Sequence, residues 1–234
     1  MTNQKLQSKL NTPFPVIAPS MLKCDFGNLH REVELLEAAE AAVLHWDVMD
    51  GHFVPNLSYG ALLIERVRPL TQMFFDAHLM VSNPEKYIDD YIKAGCDSIT
   101  IHIEAVPDPQ EILSHLKKSG VIPGLAISPK TPITMIEPYL DSCGLILVMS
   151  VEPGFGGQSF IESSLPKIKQ LKTMLSKETI LSVDGGIGLE TIAEAAGAGA
   201  NYFVVGSALF SQADYSIAVS ELVEKARSQT ASFT

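Results

Sequence analysis

Basic residues are scarce in this chain: 17 Lys and Arg stand against 27 Asp and Glu, a formal net charge of −10. So acidic a balance lacks the positive surface that nucleic acid and anionic membranes demand, and neither is expected as a partner. Cysteine is scarcer still. Cys24, Cys96 and Cys143 are odd in number, far apart and without CxxC spacing, which excludes a disulfide framework and reads as free thiols of a reducing compartment. No run of about 18 apolar residues occurs, so no membrane-spanning helix is expected. Residues 1–15, MTNQKLQSKLNTPFP, hold lysines but no apolar stretch, so they do not read as a secretory signal. Charged residues at 19% beside hydrophobic residues at 46% exclude bulk disorder. A soluble cytoplasmic protein is the expectation.

At 234 residues the chain is long enough for one large α/β domain or two small ones. Residues 1–12 are polar and aperiodic and read as a flexible tail, with a second tail at 229–234 and one domain over 13–228. Within that domain short apolar runs fall at 16–19, 43–49, 74–81, 98–103, 122–127, 145–151, 179–183 and 202–205. Amphipathic stretches separate them, with apolar residues three and four apart at 29–39, 84–94, 165–175 and 215–226. Gly95, Gly120, Gly144 and Gly199 follow helical patterns and suit left-handed caps. Eight strands alternating with eight helices predict parallel strands, right-handed crossovers and a (β/α)8 TIM barrel. An open doubly wound sheet is the competing architecture, but no GxGxxG follows the first strand, which runs instead into Ala18-Pro19-Ser20-Met21.

Barrel chemistry gathers at the C-terminal ends of strands, so polar residues there carry the most information. His45 and Asp47 lie two apart on strand 2 and share a face; His78 lies near the end of strand 3, and Asp184 ends strand 7. One such residue alone is usually a hydrogen-bonded structural group. Four converging in an apolar barrel are different, because buried carboxylates cost several kcal/mol unless paired or bound to metal. These strands offer no Lys or Arg to pair them. A single divalent cation is therefore expected, and a His2Asp2 set suits Zn2+, Fe2+, Mn2+ or Co2+ better than Mg2+ or Ca2+. His102 and Glu104 share a face of strand 4 and read foremost as a satisfied polar pair. His30 and His115 read as solvated, and His52 is ambiguous.

Glycine clusters follow the late strands: Gly154-Phe155-Gly156-Gly157, Gly185-Gly186 and Gly206-Ser207. Each precedes a helix, where free N–H groups favour an anion, and barrels commonly hold phosphate with the loops after strands 7 and 8. Few basic side chains lie nearby in sequence, so binding is expected to rest mainly on backbone N–H groups. Met49, Met80 and Met149 sit at strand ends, either as core filler or as an apolar collar that excludes water.

These motifs resemble the ribulose-phosphate 3-epimerase family. The likeness lies in Ala18-Pro19-Ser20 with Asp25-Phe26, in LHWDVMDGHFVPN at 44–56, DAHLMVS at 76–82, VMSVEPGFGGQSF at 148–160, VDGG at 183–186 and VGS at 205–207. It spans almost all of 16–210, in the family's order. The resemblance implies a barrel of the ribulose-phosphate-binding type and one divalent ion, Zn2+ foremost, on His45, Asp47, His78 and Asp184. It implies Asp47 and Asp184 as the acid/base pair, and Ser20 and His78 as substrate contacts together with Asp184. It implies Gly154, Phe155, Gly156, Gly157, Gly185, Gly186, Gly206 and Ser207 as phosphate and substrate loops, and Met49, Met80 and Met149 as site-lining residues. A ketopentose phosphate as substrate and a homo-oligomeric assembly follow from the same likeness. Two positions depart from the family pattern. Trp46 is bulkier than an aliphatic neighbour of the strand 2 ligands and should face outward, and Lys23 is an unexpected cation near the first loop.

The implied reaction interconverts D-ribulose 5-phosphate and D-xylulose 5-phosphate through a cis-enediolate. Inversion at C3 needs acid/base groups on both sides of a plane, and Asp47 and Asp184 lie well apart around a barrel. A Schiff-base aldolase is a rival, but the candidate lysines Lys23 and Lys130 fall in loops. An epimerase for a hexulose 6-phosphate would share the site, and a binding module would have no use for opposed carboxylates.

Overall fold

The structure, a computed structural model, describes residues 15–230. The segment 1–12, read above as a tail, and residues 231–234 lie outside the described residues. Eight strands form one sheet: β1 Val16–Pro19, β2 Val43–Met49, β3 Phe74–Met80, β4 Ser98–His102, β5 Ile122–Ile127, β6 Leu145–Met149, β7 Ile180–Asp184 and β8 Tyr202–Val205. Each expected apolar run became a strand, with ends within two residues. Neighbours pair in parallel in the order β1-β8-β7-β6-β5-β4-β3-β2, and a parallel bridge between Ser20 and His45 joins β1 to β2, so the sheet closes on itself. This is the (β/α)8 barrel.

Strand alternation sorts the side chains. Leu44, Trp46 and Val48 of β2 and Phe75, Ala77 and Leu79 of β3 point outward into the layer beneath the helices. Phe74, Leu145, Leu147, Ile180 and Tyr202 fill the interior. Trp46 is fully buried outside the ring, edge-on to Tyr59 and Phe75 at 5.5 Å, as its position between two inward residues requires.

The helices are α1 Leu29–Ala38, α2 Ala61–Val67, α3 Ile88–Lys93, α4 Gln110–Lys118, α5 Ser164–Met174, α6 Ile192–Ala198, α7 Ser207–Phe210 and α8 Tyr215–Thr230. Strict alternation fails once. Between β5 and β6 the chain makes 3-10 turns, Ile133–Met135 and Glu137–Ser142, in place of an α-helix. Pro132 and Pro138 explain it, since each removes a backbone donor and fixes its own φ. A second helix follows β8, so among the described residues the number of α-helices is still eight. Gly95, Gly120 and Gly199 take positive φ after their helices, but Gly144, which follows a 3-10 turn, does not. Helix α8 runs to Thr230, past the expected boundary at 228.

Candidate active site

His45 and Asp47 project inward from β2, and His78 stands in register with Asp47 on β3. Asp184 ends β7. One ligand atom from each of His45, Asp47, His78 and Asp184 lies within 4.8 Å of the others, a cluster that could hold one ion.

The surrounding hydrogen bonds orient each imidazole. His45 Nδ1 lies 2.8 Å from Asp76 Oδ2, which also accepts from the Tyr202 hydroxyl at 2.8 Å, while Ser98 Oγ donates to Asp76 Oδ1. His45 therefore donates its Nδ1 proton in a hydrogen bond to Asp76, and its Nε2 faces the cluster. That Nε2 is buried and has no hydrogen-bond partner. A carboxylate behind a histidine and an orphaned ring nitrogen in front are the arrangement of a metal-ligating imidazole, so the residues present fit a divalent ion. His78 is held similarly. Its Nε2 lies 2.8 Å from Nε2 of His102, whose Nδ1 lies 3.0 Å from Glu104 Oε2. Glu104 Oε1 in turn accepts from Ser128 N at 2.8 Å. This leaves His78 Nδ1 toward the cluster, 3.1 Å from Asp47 Oδ1 and 3.5 Å from Asp184 Oδ2.

The two cluster carboxyls differ in proton affinity. Burial would raise Asp47, but His45 and His78 outweigh it and hold Asp47 well below the usual carboxylate range. Burial raises Asp184, and the nearby Asp47 charge raises it further. Burial would lower His45, yet Asp47 and Asp76 carry it well above its ordinary value. The site is thus a buried pocket that favours positive charge. His102 is the exception. Burial pushes it down to about 4, so it is a neutral acceptor at physiological pH.

Above the cluster opens a cleft of about 380 Å³, lined by Ser20, Asp47 and Asp184, by Met49, Met80 and Met149, and by the loops after β6, β7 and β8. Ser20 Oγ donates to Asp47 Oδ2 at 2.5 Å. Gly154, Phe155, Gly156, Gly157, Gly185, Gly186, Gly206 and Ser207 all reach this cleft. Gly186 (φ +65°) passes so close to the β6 loop that a β-carbon would stand 2.4 Å from Phe160 N. Asn56 Nδ2 ties the β2 loop to Gly154 O at 2.8 Å, and Gln158 Nε2 donates to Glu152 O and Phe155 O.

A sequence profile described as the ribulose-phosphate 3 epimerase family matches residues 16–210. The chain belongs to the ribulose-phosphate 3-epimerase family. A relative from Bacillus subtilis named ribulose-phosphate 3-epimerase is 44% identical over 210 residues, 88% of this chain and 97% of that protein. One of the same name from Synechocystis is 43% identical over 209 residues, 87% of this chain and 91% of its own. Among solved structures, KGPDC from Streptococcus mutans superposes with a TM-score of 0.65 at 16% identity, covering 92% of this chain and 98% of that one. At that identity the superposition speaks for the barrel alone.

Set against the family resemblance, the structure brings every expected site residue to one end of the barrel. The His102–Glu104 pair is satisfied as expected, but it also touches His78. Sequence reasoning gave no role to Asp76, Tyr202 or Ser98; Asp76 lies two before His78 on the same face, which was the available signal. His30 and His115 are solvated, paired with Glu34 and Asp89. His52 folds back on Asp50. Lys23, the unexpected cation of the first loop, lines the same cleft beside the glycine loops.

Proposed function

We propose that this chain is a metal-dependent ribulose-phosphate 3-epimerase, interconverting D-ribulose 5-phosphate and D-xylulose 5-phosphate by proton removal and return at C3. One observation carries the reading: Asp47 of β2 and Asp184 of β7, strands that do not pair with each other, both approach Nδ1 of His78 at the cleft floor. Carboxylates from two walls can serve the two faces of a planar cis-enediolate. One takes the C3 proton and the other returns a proton to the opposite face; the reverse reaction exchanges the roles. Ser20 and His78 contact the substrate, and Ser20 also fixes the Asp47 carboxylate. Met49, Met80 and Met149 keep water from the carbanion. The loops of Gly154 to Gly157, Gly185, Gly186, Gly206 and Ser207 grip the phosphate through backbone N–H groups.

His45, Asp47, His78 and Asp184 would hold one divalent ion, with Zn2+ first in order and Fe2+, Mn2+ or Co2+ suited to the same donors. When bound, the ion supplies positive charge against the negative charge that develops on the substrate oxygens. The family likeness supports a homo-oligomer, and three buried free thiols support a cytoplasmic setting. Among the described residues no helix is long and apolar enough to cross a membrane. The described residues, 15–230, form a single barrel.

The test is an epimerisation assay on D-ribulose 5-phosphate with metal content measured on the same sample, and deuterium incorporation at C3 followed in D2O. Turnover with one ion per chain and C3 labelling is expected; no turnover of this substrate, or product without label, overturns the reading. A parallel assay on the hexulose 6-phosphate distinguishes the closest alternative substrate.

A further inference from the structure

Lys23 stands in the turn after β1, Met21–Lys23, and its side chain crosses the cleft rim. Its stem lies along two glycines: a β-carbon built at Gly206 would stand 3.1 Å from Lys23 Cγ, and one at Gly156 2.5 Å from Cε. At Gly157 a β-carbon would be 3.8 Å from Lys23 Nζ and equally 3.8 Å from Ser207 Oγ. The ammonium therefore ends in the gap between the β6 and β8 loops. Among the described residues no hydrogen bond or ion pair engages it. Neighbouring cations are committed elsewhere. Lys130 pairs with Glu152 at 2.7 Å, and Lys167 donates to the carbonyls of Ser128, Pro129 and Thr131.

The charges in the cleft are unequal. Asp47, Asp184 and Glu190 line it, and Lys23 is the one Lys or Arg among its lining residues. A phosphorylated substrate entering a chain of net charge −10 meets repulsion that backbone N–H groups offset only in part.

We propose that Lys23 binds the substrate phosphate directly, its ammonium completing the cradle of backbone N–H groups, and that it sets this chain's preference for the phosphorylated sugar. The inference rests on the phosphate-binding reading above and adds to it a side-chain cation that the glycine loops do not supply. Glycine at 156 and 206 leaves the passage through which the lysine stem reaches. The stem is flexible and the ammonium a compact point charge, which suits a phosphate whose oxygens are shared with several N–H donors.

The experiment compares wild type, Lys23→Met and Lys23→Arg. Binding of inorganic phosphate is measured by calorimetry at low salt, and KM for D-ribulose 5-phosphate is measured on the metal-loaded enzyme. Lys23→Met should weaken phosphate binding by about tenfold and raise KM by a similar factor, the scale of one charge-assisted hydrogen bond in a partly solvated site. Lys23→Arg should restore most of both, and the gap between wild type and Lys23→Met should narrow as salt rises. Equal phosphate affinities in wild type and Lys23→Met, or no phosphate binding by wild type, overturn the proposal. Lys23 is exposed, so melting curves that coincide are expected, and Lys23→Ser repeats the comparison if Lys23→Met melts early. Absence of turnover by wild type would count against the epimerase reading, while the phosphate titration would still decide the role of Lys23.

Discussion

His78 and His102 meet nitrogen to nitrogen, Nε2 to Nε2 at 2.8 Å, with their rings 26° from parallel. Glu104 accepts the Nδ1 proton of His102, so His102 Nε2 accepts from His78 Nε2, and the Nδ1 of His78 is left facing Asp47 and Asp184. The pair of His102 and Glu104 thereby orients the ring of a residue on β3.

His102→Phe and Glu104→Gln should therefore weaken metal binding without touching a ligand. A loss of about 10- to 100-fold in affinity is expected for His102→Phe and a smaller one for Glu104→Gln. Competition with a coloured chelator at fixed pH measures it, and unchanged affinity in His102→Phe would remove the orienting role.

Asp47→Asn and Asp184→Asn should each lower turnover by at least about 10²- to 10⁴-fold. Phosphate affinity should survive in both, because the glycine loops stand apart from these carboxyls. Full activity in either variant would strike that residue from the acid/base pair.

Acid should destabilise the fold through His102. Its folded value of about 4 lies below the 6.5 of a free imidazole, so the unfolded chain binds the proton more readily. The contribution of neutral His102 is complete above about pH 6.5 and is lost as pH falls toward 4, on the order of 3 kcal/mol over that window. Glu104, lowered to about 2, acts with the same sign at more acid pH. Urea unfolding of metal-depleted wild type and His102→Gln across pH 4–7 isolates the effect; parallel pH profiles would refute it.

Gly186→Ala should displace the β6 loop. The residue sits at φ +65°, and its β-carbon would press on Phe160 N and Cα at 2.4 and 2.7 Å. Backbone cannot yield as a side-chain tip does, so about 1–3 kcal/mol of stability should be lost. Phosphate affinity should fall with it, as calorimetry with inorganic phosphate would register.

The ring of strands was legible because fully buried parallel strands are apolar throughout, and the inward pair His45 and Asp47 was legible because strand side chains alternate. Other features depend on contacts that local sequence does not carry. Asp76 shares the face of His78, yet its partner is His45 on the neighbouring strand. Pro132 and Pro138 carry a local warning against a helix after β5. Lys23 is remote from the glycine clusters in sequence because β1 comes first; pairing of β1 with β8 brings it beside them.

Among the described residues the sheet is joined between β1 and β2 by one bridge, from Ser20 to His45, and both residues belong to the proposed site. The seam of the cylinder is thus also its working end. Whatever draws Ser20 and His45 together fastens the first strand to the second, so ion uptake should slow amide hydrogen exchange along β1 more than along β5, on the far side of the circle. Catalytic competence and circular integrity become one property, and a breach at this joint would disarm the molecule before it unfolds.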